Sequence, residues 1–538
     1  MLHSHLPYYR KAGMWPFGEE SFYECMAETY IPLLNIIADL WDEGIPAKIT
    51  VGLTPILVEQ MADAHLNQGF DHFLRGRIQA ARQDEARFSP RGESANPDLL
   101  HLARFYLSWF EQIHKDYHQR WGRDVIAGYR KYQELGAIEI TTSAATHCFS
   151  PLLDTDSSLR CQYRTATDSY KRHFGRAPEG AWLPECAYRP ATGKRPGIEK
   201  WLYDSGIKYF FTESFAIKGG QTVELRRDFG PYGTIEYIPV AARPATGLDT
   251  FEAFWLKDYP VAVMGRHEQA GFQVWSAEHG YPGDGNYREF HKKDDSSGLH
   301  FWKLTSKTTD LGAKELYSPE AAFNRMRENS DHYVGLVQEI LTDHLKQTGE
   351  TGLVMVSFDT ELFGHWWFEG IAWIKEIIRK FRTYTAVTLH TASEYLKAQP
   401  PKRAIELPES SWGSGGHWQV WLNNETEWMW PIIHESERTM EKIASEYEKA
   451  DGGLIGRALK QAARELLLLE SSDWPFLVTT GQAKQYAVER FKGHHERFRQ
   501  LVAMVLSGQI DEGKLRDIED VDNCFPDICH TCFMPVKS

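Results

Sequence analysis

The sequence predicts an α/β fold in which parallel strands alternate with helices, followed by a region that is all helix. Short apolar runs bounded by glycine or polar residues indicate buried strands. These runs are AKITVGLTPIL, AIEIT, KYFFTES, VAVMG and GLVMVSFD. Between them lie amphipathic stretches such as ESFYECMAETYIPLLNIIADLWDEG, where apolar residues recur at helical spacing before Gly44. Because crossovers join strands that alternate with helices, this pattern favours a parallel sheet, either open or closed into a barrel.

The strand pattern ends near residue 395, which predicts one domain of residues 1–395 and another of residues 396–538. From Glu435 onward the spacing is helical, in KIASEYEKA, LIGRALKQAARELLLLE and QAKQYAVERFKGHHERFRQLVAMVL. Within the first domain, residues 62–130 are rich in helical patterns and carry RQDEARFSPRGESANPD, which we interpret as a polar loop. We therefore expect residues 62–130 to form a helical insertion.

Composition excludes several classes of partner. The formal net charge of the 538 residues is −14, whereas nucleic acid and anionic membrane surfaces both attract a basic protein face. The longest purely apolar run, in ELLLLE, is too short to cross a membrane, and MLHSHLPYYR lacks the regions of a secretory signal. Seven cysteines, an odd number scattered along the chain, favour a reducing cytoplasm. We therefore expect a cytoplasmic protein without nucleic-acid or membrane partners.

Ionisable side chains follow four of the apolar runs, at the points where strands are predicted to end. His3 and His5 follow the first run, His147 follows AIEITTSAAT, Glu185 follows GAWLP and Asp359 follows GLVMVSF. In a parallel barrel the C-terminal ends of all strands meet at one face, where such folds build their active sites. The sequence therefore predicts one site to which these residues contribute.

Glu185 and Asp359 are the carboxylates on which the interpretation depends. Asp359 lies in FDTELFGHWWFEG, where aromatic neighbours would bury its carboxyl and raise its pKa, as a general acid needs near neutral pH. Two carboxylates at one barrel mouth are typical of glycoside cleavage. The 18 tryptophans also suit a sugar, because a flat ring packs on the apolar face of a pyranose. Taken singly, a glutamate in the position of Glu185 is more often a helix N-cap or an ion-pair partner, and Asp359 is equally well explained as part of a packed turn.

A metal-dependent hydrolase is the alternative that the same residues leave open. Such enzymes also begin with His-x-His at the end of a first strand and take further histidines and an aspartate from later strands. The candidate ligands are His3, His5, His147, His365 and Asp359. No later predicted strand ends in an isolated histidine, however, and tryptophan, tyrosine and glutamate dominate the candidate site. We therefore expect no metal.

The C-terminal tail CFPDICHTCF contains Cys524 and a CxxC pair, Cys529 and Cys532. Zinc and redox sites use such pairs, but a zinc site of this kind needs a second pair of ligands. We expect all three cysteines to be free thiols.

Five ordered segments resemble the signature regions of glycoside hydrolase family 57. They are HSHLPYYR, GAIEITTSAATHCFSPLL, WLPECAYRP, FDTELFGHWWFEG and TASEYL. Three others, VWSAEHGYPGDGNYREFH, SSWGSGGHWQVWLN and SSDWPFLVTTGQA, are similar to its 1,4-α-glucan branching enzyme subgroup. The resemblance covers nearly the whole chain. It implies an incomplete (β/α)7 barrel with an inserted helical subdomain and a C-terminal all-α domain.

The resemblance also implies an activity and roles for individual residues. Glu185 would be the nucleophile and Asp359 the general acid/base of a retaining double displacement, which cleaves α-1,4 linkages and transfers the chain to a glucan 6-hydroxyl. The implied substrate-binding positions are His5, His147, Arg266, Trp275, Gly283, Trp412, Trp421, Asp473 and Gln482. The partner would be an α-glucan, no cofactor would be required, and we expect a monomer.

Two departures from the family pattern bear on the expected reaction. Only Met1 and Leu2 precede His3, so either the chain start lies further upstream or the first strand is truncated. The subgroup carries a tyrosine over the active site on a mobile loop, and here the corresponding stretch, GPYGTIEYIPVAARPATGLDTF, offers Tyr232 and Tyr237. Without that tyrosine, hydrolysis would be favoured. The alternatives to a branching enzyme are a retaining α-amylase or 4-α-glucanotransferase of the family, and a catalytically idle glycogen-binding protein.

Overall fold

Nine of the eleven strands among the described residues are only two to five residues long, and the residues of these nine are mostly buried. The computed structural model describes residues 1–193, 195–228, 234–276 and 279–536, without the side chains of residues 221–242 and Ser414. The strands are β1 (Leu2–Ser4), β2 (Ile49–Leu53), β3 (Ile138–Thr141), β4 (Gly180–Ala181), β5 (Tyr209–Thr212), β6 (Gly220–Asp228), β7 (Thr234–Arg243), β8 (Ala253–Leu256), β9 (Ala262–Gly265), β10 (Phe358–Asp359) and β11 (Ala404–Ile405).

Two sheets carry most of these strands. One is parallel throughout, in the order β10-β1-β2-β3, and the other has the order β11-β8-β9-β5-β4. A parallel bridge between Thr142 and Ala181 joins the end of β3 to β4, and the Trp182 amide donates to the Thr142 carbonyl at 2.8 Å. Strands β4, β5 and β9 are also mutually parallel. The order β10-β1-β2-β3-β4-β5-β9 is therefore parallel, although no strand pairing between β9 and β10 closes it within the described residues.

Helices before residue 400 cover these strands. They are α1 (Glu19–Cys25), α2 (Ile31–Asp42), α3 (Pro55–Ala62), α4 (Ala64–Phe88), α5 (Pro97–Lys115), α6 (Val125–Glu134), α7 (Asp156–Phe174), α8 (Ile198–Asp204), α9 (Ser214–Lys218), α10 (Glu268–Trp275), α11 (Pro319–Thr348), α12 (Gly370–Tyr384) and α13 (Ala392–Ala398). π-Helical turns at Met26–Tyr30 and Asp116–Arg120 follow α1 and α5 directly. Both faces of β5 and β9 are buried, which is usual for parallel strands covered by helices.

The structure differs from two local expectations. The predicted loop RQDEARFSPRGESANPD is helical over its first seven residues, because Arg, Gln, Glu and Ala favour helix and α4 ends only at Phe88, two residues before Pro90. The predicted strand GLVMVSFD is paired only at Phe358 and Asp359. Its register sets Leu2 opposite Phe358, so residues 352–356 lie beyond the N-terminal end of β1.

The C-terminal region is helical and packs against the strand ends. Its helices are α14 (Met429–Glu446), α15 (Gly453–Leu469), α16 (Asp473–Thr480), α17 (Lys484–Ser507) and α18 (Glu512–Val521). The apolar faces of α14, α15 and α17 share one core with Phe149 and α7. The Ser472 amide, at the start of α16, donates to the His147 carbonyl at 3.0 Å. This contact brings α16 to the end of β3, where the candidate site lies.

The prediction of free thiols is wrong for Cys532, which forms a disulfide with Cys161 of α7. The two cysteines are 371 residues apart, and the sequence does not reveal that the tail folds back on α7. The Arg160 guanidinium holds the tail there by donating to the carbonyls of Cys532 and Met534. Cys524 and Cys529 are free thiols, as expected.

Among the described residues, none of the helices combines the length and the apolar character that crossing a bilayer requires.

Candidate active site

A cavity of about 1130 Å³ opens where the C-terminal ends of the parallel strands meet α16. Most of the residues singled out from the sequence line it. They are His3, His5, His147, Glu185, Arg266, Trp275, Asp359, His365, Trp412, Trp421, Asp473 and Gln482. Gly283 is not among the lining residues and lies in the turn Tyr281–Gly283 that follows α10. The structure therefore brings the two predicted carboxylates to one cavity.

Glu185 sits in a turn that points it away from the regular strand path. Its backbone is left-handed, with φ of 61°, and Cys186 follows with φ of 51°. Such angles are strained for residues other than glycine, and they persist where the surroundings fix them, often at functional sites. The Trp412 amide fixes this turn by donating to the Glu185 carbonyl at 3.0 Å. Strand β4, which precedes this turn, is only two residues long, so the chain leaves the sheet shortly before Glu185.

Both carboxylate oxygens of Glu185 accept hydrogen bonds from residues that follow in the chain. The Trp412 indole donates to Oε2 at 2.6 Å, and the Ser472 hydroxyl donates to Oε1 at 3.2 Å. Burial raises the pKa of Glu185 to about 7, although the Trp412 hydrogen bond lowers it and the nearby Asp359 charge raises it further. The two donors orient Glu185 but do not cancel the effect of burial on its pKa, because neither donor is a cation.

Asp359 ends β10, in register with His3 of β1. Burial raises its pKa to about 7, against the opposing positive charges of His5 and Arg266. Arg266 follows β9, and its guanidinium donates to Glu213 at 2.8 Å. Asp359 and Glu185 thus titrate in the same range, and the Asp359 charge raises the pKa of Glu185.

Three histidines stack beside Glu185. The ring centroids of His5 and His147 are 3.8 Å apart, and His3 Nε2 lies 3.0 Å from His147 Nε2. His5 Nε2 lies 2.9 Å from Asp473 Oδ1. Burial alone would lower the pKa of His5, but the Asp473 charge and hydrogen bond raise it. Burial, together with the His5 charge, holds the pKa of His147 well below its ordinary value.

Sequence reasoning missed three residues that support these groups. Ser472 lies between Glu185 and His147, with its hydroxyl 2.9 Å from His147 Nδ1, and it directly precedes the predicted Asp473. Glu213 accepts a hydrogen bond from Arg266 and directly follows β5, within the run KYFFTES. Its position after a predicted strand is the signal that could have found it. Tyr30 donates to the buried Glu361 carboxylate, and its π-helical turn has no recognisable sequence pattern.

Glu361 is a third buried carboxyl at this site, two residues after Asp359. Its Oε1 accepts the His5 amide at 3.1 Å and also the Tyr30 hydroxyl. Burial, and then the Asp359 charge, raises the pKa of Glu361 to about 8. Glu361 is therefore protonated near neutral pH, and in that form it accepts the hydrogen bond from the backbone amide of His5.

Aromatic side chains form much of the cavity wall. Trp412 is half-buried beside Glu185, and Trp275 is half-buried at the end of α10. Trp421 is only 1% exposed and stacks on Phe149 with ring centroids 4.4 Å apart. Trp15 and Trp366, which we did not predict, are 74% and 46% exposed at the rim. Flat rings at a rim suit a sugar chain.

The two candidate loop tyrosines cannot be assigned to the cavity. Tyr232 lies outside the described residues. Tyr237 pairs with Leu225 in the antiparallel β6–β7 hairpin, and its side chain is outside the described part of the structure. The loop tyrosine stays a prediction.

The possible metal ligands that the structure brings together at the cavity differ from the predicted set. His5, His147 and Asp473 offer ligand atoms within 4.8 Å of one another. His365 instead lies 3.3 Å from Glu28 of the first π-helical turn. In the cavity group, the His5 and Asp473 atoms that would bind an ion are already in contact at 2.9 Å.

Two models of protein families match this sequence. The sequence model described as "Glycosyl hydrolase family 57" matches residues 1–408. A second model, described as "1,4-alpha-glucan branching enzyme, C-terminal", matches residues 432–533. The two matches together span both the strand-end residues and Ser472 and Asp473.

Three similar proteins have solved structures. A 1,4-alpha-glucan branching enzyme of Thermococcus kodakarensis is 40% identical over 98% of this chain and 76% of its own length. Its crystal structure covers 100% of this chain and 96% of the solved chain, with a TM-score of 0.91 at 39% identity. A branching enzyme from Pyrococcus horikoshii gives a TM-score of 0.87 at 38% identity, with the same two coverages. The α-amylase AmyC from Thermotoga maritima gives 0.84 at 28% identity, covering 100% of this chain and 98% of that one.

Proposed function

The chain belongs to glycosyl hydrolase family 57, and from this premise we propose that it is a 1,4-α-glucan branching enzyme. One observation carries the proposal: Glu185 and Asp359 lie on one aromatic-walled cavity, and the region that resembles branching enzymes supplies Ser472 to hold Glu185. The relatives from Thermococcus kodakarensis and Pyrococcus horikoshii are themselves described as branching enzymes. The substrate is therefore an α-glucan chain, cut at an α-1,4 linkage and rejoined through an α-1,6 linkage.

The first chemical step uses the two carboxyls in opposite protonation states. Ionised Glu185 attacks the anomeric carbon while protonated Asp359 gives its proton to the departing glycosidic oxygen. Because both pKa values lie at about 7, the pair holds one proton near neutral pH. The Trp412 and Ser472 hydrogen bonds favour the ionised form of Glu185, which assigns the proton to Asp359.

The second step decides between branching and hydrolysis. Asp359, now ionised, takes the proton of the incoming nucleophile, which displaces Glu185 and restores the α configuration. A glucan 6-hydroxyl gives a branch, and water gives a free reducing end. The cavity is large enough for more than one sugar unit and is walled by Trp412 and Trp275. An acceptor chain held there would replace the water that competes with it.

Other roles at the site follow from the charges. We assign Arg266 to the substrate and to the control of Asp359, whose pKa it lowers against the effect of burial. The His5–Asp473 pair faces the cavity beside Glu185 and suits hydrogen bonding to sugar hydroxyls. Gln482 is exposed on the rim, where it would contact the chain further from the cleaved bond. Gly283 would act through the turn next to α10.

The proposal extends to architecture and setting. The seven mutually parallel strands from β10 to β9 support an incomplete (β/α)7 barrel, with residues 62–130 as a helical insertion and residues 396–538 as a helical domain. A cytoplasmic location is supported by five free cysteines, although the Cys161–Cys532 disulfide argues in the other direction. A monomer stays a prediction.

A retaining α-amylase is the second candidate, favoured by the 28% identity to AmyC over the whole chain. Proton NMR of the anomeric region distinguishes the two activities during incubation of amylose with the purified protein. We expect a growing α-1,6 signal with few new reducing ends. Reducing ends without α-1,6 linkages would refute branching while retaining Glu185 and Asp359 as the cleaving pair.

A further inference from the structure

Asp71, His114 and His118 lie together on the helical insertion and are not among the described residues that line the cavity. Asp71 is on α4, His114 is in the last turn of α5, and His118 is in the π-helical turn that continues α5. His118 Nε2 lies 2.7 Å from Asp71 Oδ1, and His114 Nε2 lies 3.6 Å from the same oxygen. Two imidazole nitrogens from one continuous helical segment thus converge on a carboxylate oxygen of a different helix, α4.

We propose that Asp71, His114 and His118 form a binding site for a divalent transition-metal ion such as Zn²⁺. Their ligand atoms all lie within 4.8 Å of one another. A tetrahedral zinc ion with bonds of about 2.0–2.1 Å separates its ligand atoms by about 3.4 Å. The two distances to Asp71, 2.7 and 3.6 Å, lie on either side of that value, so small side-chain rotations suffice to admit the ion.

A hydrogen-bond network accounts for only part of this arrangement. A proton between His118 and Asp71 explains the 2.7 Å contact, but His114 at 3.6 Å is beyond hydrogen-bond range. The two imidazole centroids are 4.4 Å apart, so a second proton would place two like charges side by side. Neutral imidazole is the form that binds a metal.

The surroundings of Asp71 bear on its affinity for an ion. The Arg75 guanidinium pairs with the other carboxylate oxygen, Oδ2, at 2.8 Å, and Arg75 is 67% exposed. Hydrogen bonding to the second oxygen is a common support for a metal-binding carboxylate, although the Arg75 charge weakens affinity for a cation. The side chains of His114 and His118 are 32% and 26% exposed, so water can complete the coordination. A bound ion would tie α4 to the end of α5.

Cobalt titration of tag-free protein tests the site, because tetrahedral Co²⁺ absorbs visible light and Zn²⁺ then displaces it. We expect the wild type to bind one more ion than His114→Ala, or that variant to bind at least about tenfold more weakly. His72→Ala and His101→Ala are matched controls, since both are exposed histidines on α4 and α5. Both should retain the wild-type titration.

Two further readouts separate this site from the His5, His147 and Asp473 group in the cavity. Arg75→Ala should tighten binding severalfold, because it removes the competing charge. Zinc should raise the Tm of the wild type and of His5→Ala but not of His114→Ala. Equal titrations of the wild type and His114→Ala, or a zinc effect lost only in His5→Ala, would overturn the proposal. None of these outcomes depends on whether the protein is a branching enzyme.

Discussion

Two buried clusters in this protein combine carboxylates with histidine and behave in opposite ways. One lies at the cavity and contains Glu185, Asp359 and His5. The other lies within the C-terminal helices and contains Glu465 and His494, with Asp522 beside them. The cavity cluster opens to a space that a glucan can enter, whereas the side chains of the second cluster, which we call the sealed cluster, are 0% exposed.

The sealed cluster is neutralised by a cation. Arg497 donates to Glu465 at 3.1 Å and forms an ion pair with Asp522 at 2.8 Å, and His494 Nδ1 lies 2.9 Å from Glu465. Burial, and then the Glu465 charge, raises the pKa of Asp522 to about 6, while His494 and Arg497 oppose the rise. A guanidinium with two carboxylate partners keeps these charges paired, so the cluster ties α15, α17 and the end of α18 together.

In the cavity cluster, the proposed nucleophile Glu185 has no guanidinium contact among the described residues, and His5 acts on it through charge. Glu185 receives hydrogen bonds from the Trp412 indole and the Ser472 hydroxyl, both of which are neutral. Its pKa and that of Asp359 are raised to about 7, in each case mainly by burial. The comparison teaches that neighbouring charge, and not residue type, separates the sealed cluster from the one that we propose to be catalytic. A carboxyl that exchanges protons during turnover needs donors that orient it without fixing its charge.

The largest expected difference between the clusters is in turnover. Glu185→Gln and Asp359→Asn should each lower glucan turnover by at least about 10³-fold, because the first removes the nucleophile and the second the proton donor. Release of radiolabelled or dye-linked glucan products measures the rate. The matched control is Glu465→Gln in the sealed cluster, which should retain the turnover number of the folded protein. A wild-type rate in either cavity variant would end the assignment.

The next largest effect is on stability and concerns the sealed cluster. Arg497→Met should lower the free energy of unfolding by about 3–5 kcal/mol, since it leaves two buried carboxylates without their cation. Chemical denaturation followed by circular dichroism measures this loss. Arg499→Met is the control. Arg499 lies two residues after Arg497 on α17 and, among the described residues, forms an ion pair only with Glu496, at 3.6 Å, so its replacement should cost well under 1 kcal/mol. Equal losses would mean that Arg497 does not hold the sealed cluster.

The sequence predicts the cavity cluster better than the sealed one. Glu185 and Asp359 each follow an apolar run, and the geometry of parallel strands brings run ends together without knowledge of any long-range contact. Trp412 and Ser472 reach Glu185 across 227 and 287 residues. Periodicity has no information about such contacts, so only the family resemblance pointed to the motifs that contain them.

The sealed cluster shows why polar residues in helices are harder to interpret. Glu465, His494 and Arg497 lie within amphipathic patterns whose polar residues would ordinarily face solvent. Glu465 and His494 are fully buried, and the Arg497 side chain is only 21% exposed, because α15, α17 and the segment after α18 converge, which is decided by tertiary packing. The same limit explains Cys532, whose partner Cys161 lies on a helix of the other predicted domain.

The third prediction is that substitutions in the two clusters change the free energy of unfolding in opposite directions. Glu185→Gln should raise the free energy of unfolding at pH 8 by about 1–3 kcal/mol, whereas the Arg497 change lowers it. The pKa of Glu185 is raised from 4.5 to about 7 on folding, so its contribution to stability is present below pH 4.5 and is lost as the pH rises through 7. Gln carries no buried charge, so its advantage should grow between pH 4.5 and 7 and then level off.

Thermal unfolding of the wild type and Glu185→Gln across this pH range measures the difference. Asp168→Asn, which alters a half-exposed carboxylate on the surface of α7, is the control and should show no comparable trend. A wild type that is more stable than Glu185→Gln at pH 8 would show that the Trp412 and Ser472 bonds outweigh the cost of burying the charge.

The smallest expected effect tests whether a neutral hydrogen-bond donor lowers the pKa of Glu185, the proposed nucleophile. The Trp412 indole lowers the pKa of Glu185 against the larger effect of burial, so Trp412→Phe should raise that pKa by about one unit. Ionised Glu185 is then less populated below neutral pH, and the acid limb of kcat/KM should move to higher pH by about the same amount. The alkaline limb, which reports Asp359, should stay in place.

Trp421→Phe is the control, because Trp421 also lines the cavity but its indole nitrogen has no hydrogen-bond partner among the described residues. Its pH profile should keep both limbs. An acid limb that shifts equally in the two variants would indicate a general effect of repacking the aromatic wall. A shift confined to Trp412→Phe would instead mean that one neutral donor, contributed from outside the parallel strands, keeps the nucleophile ionised at the pH where Asp359 still holds its proton.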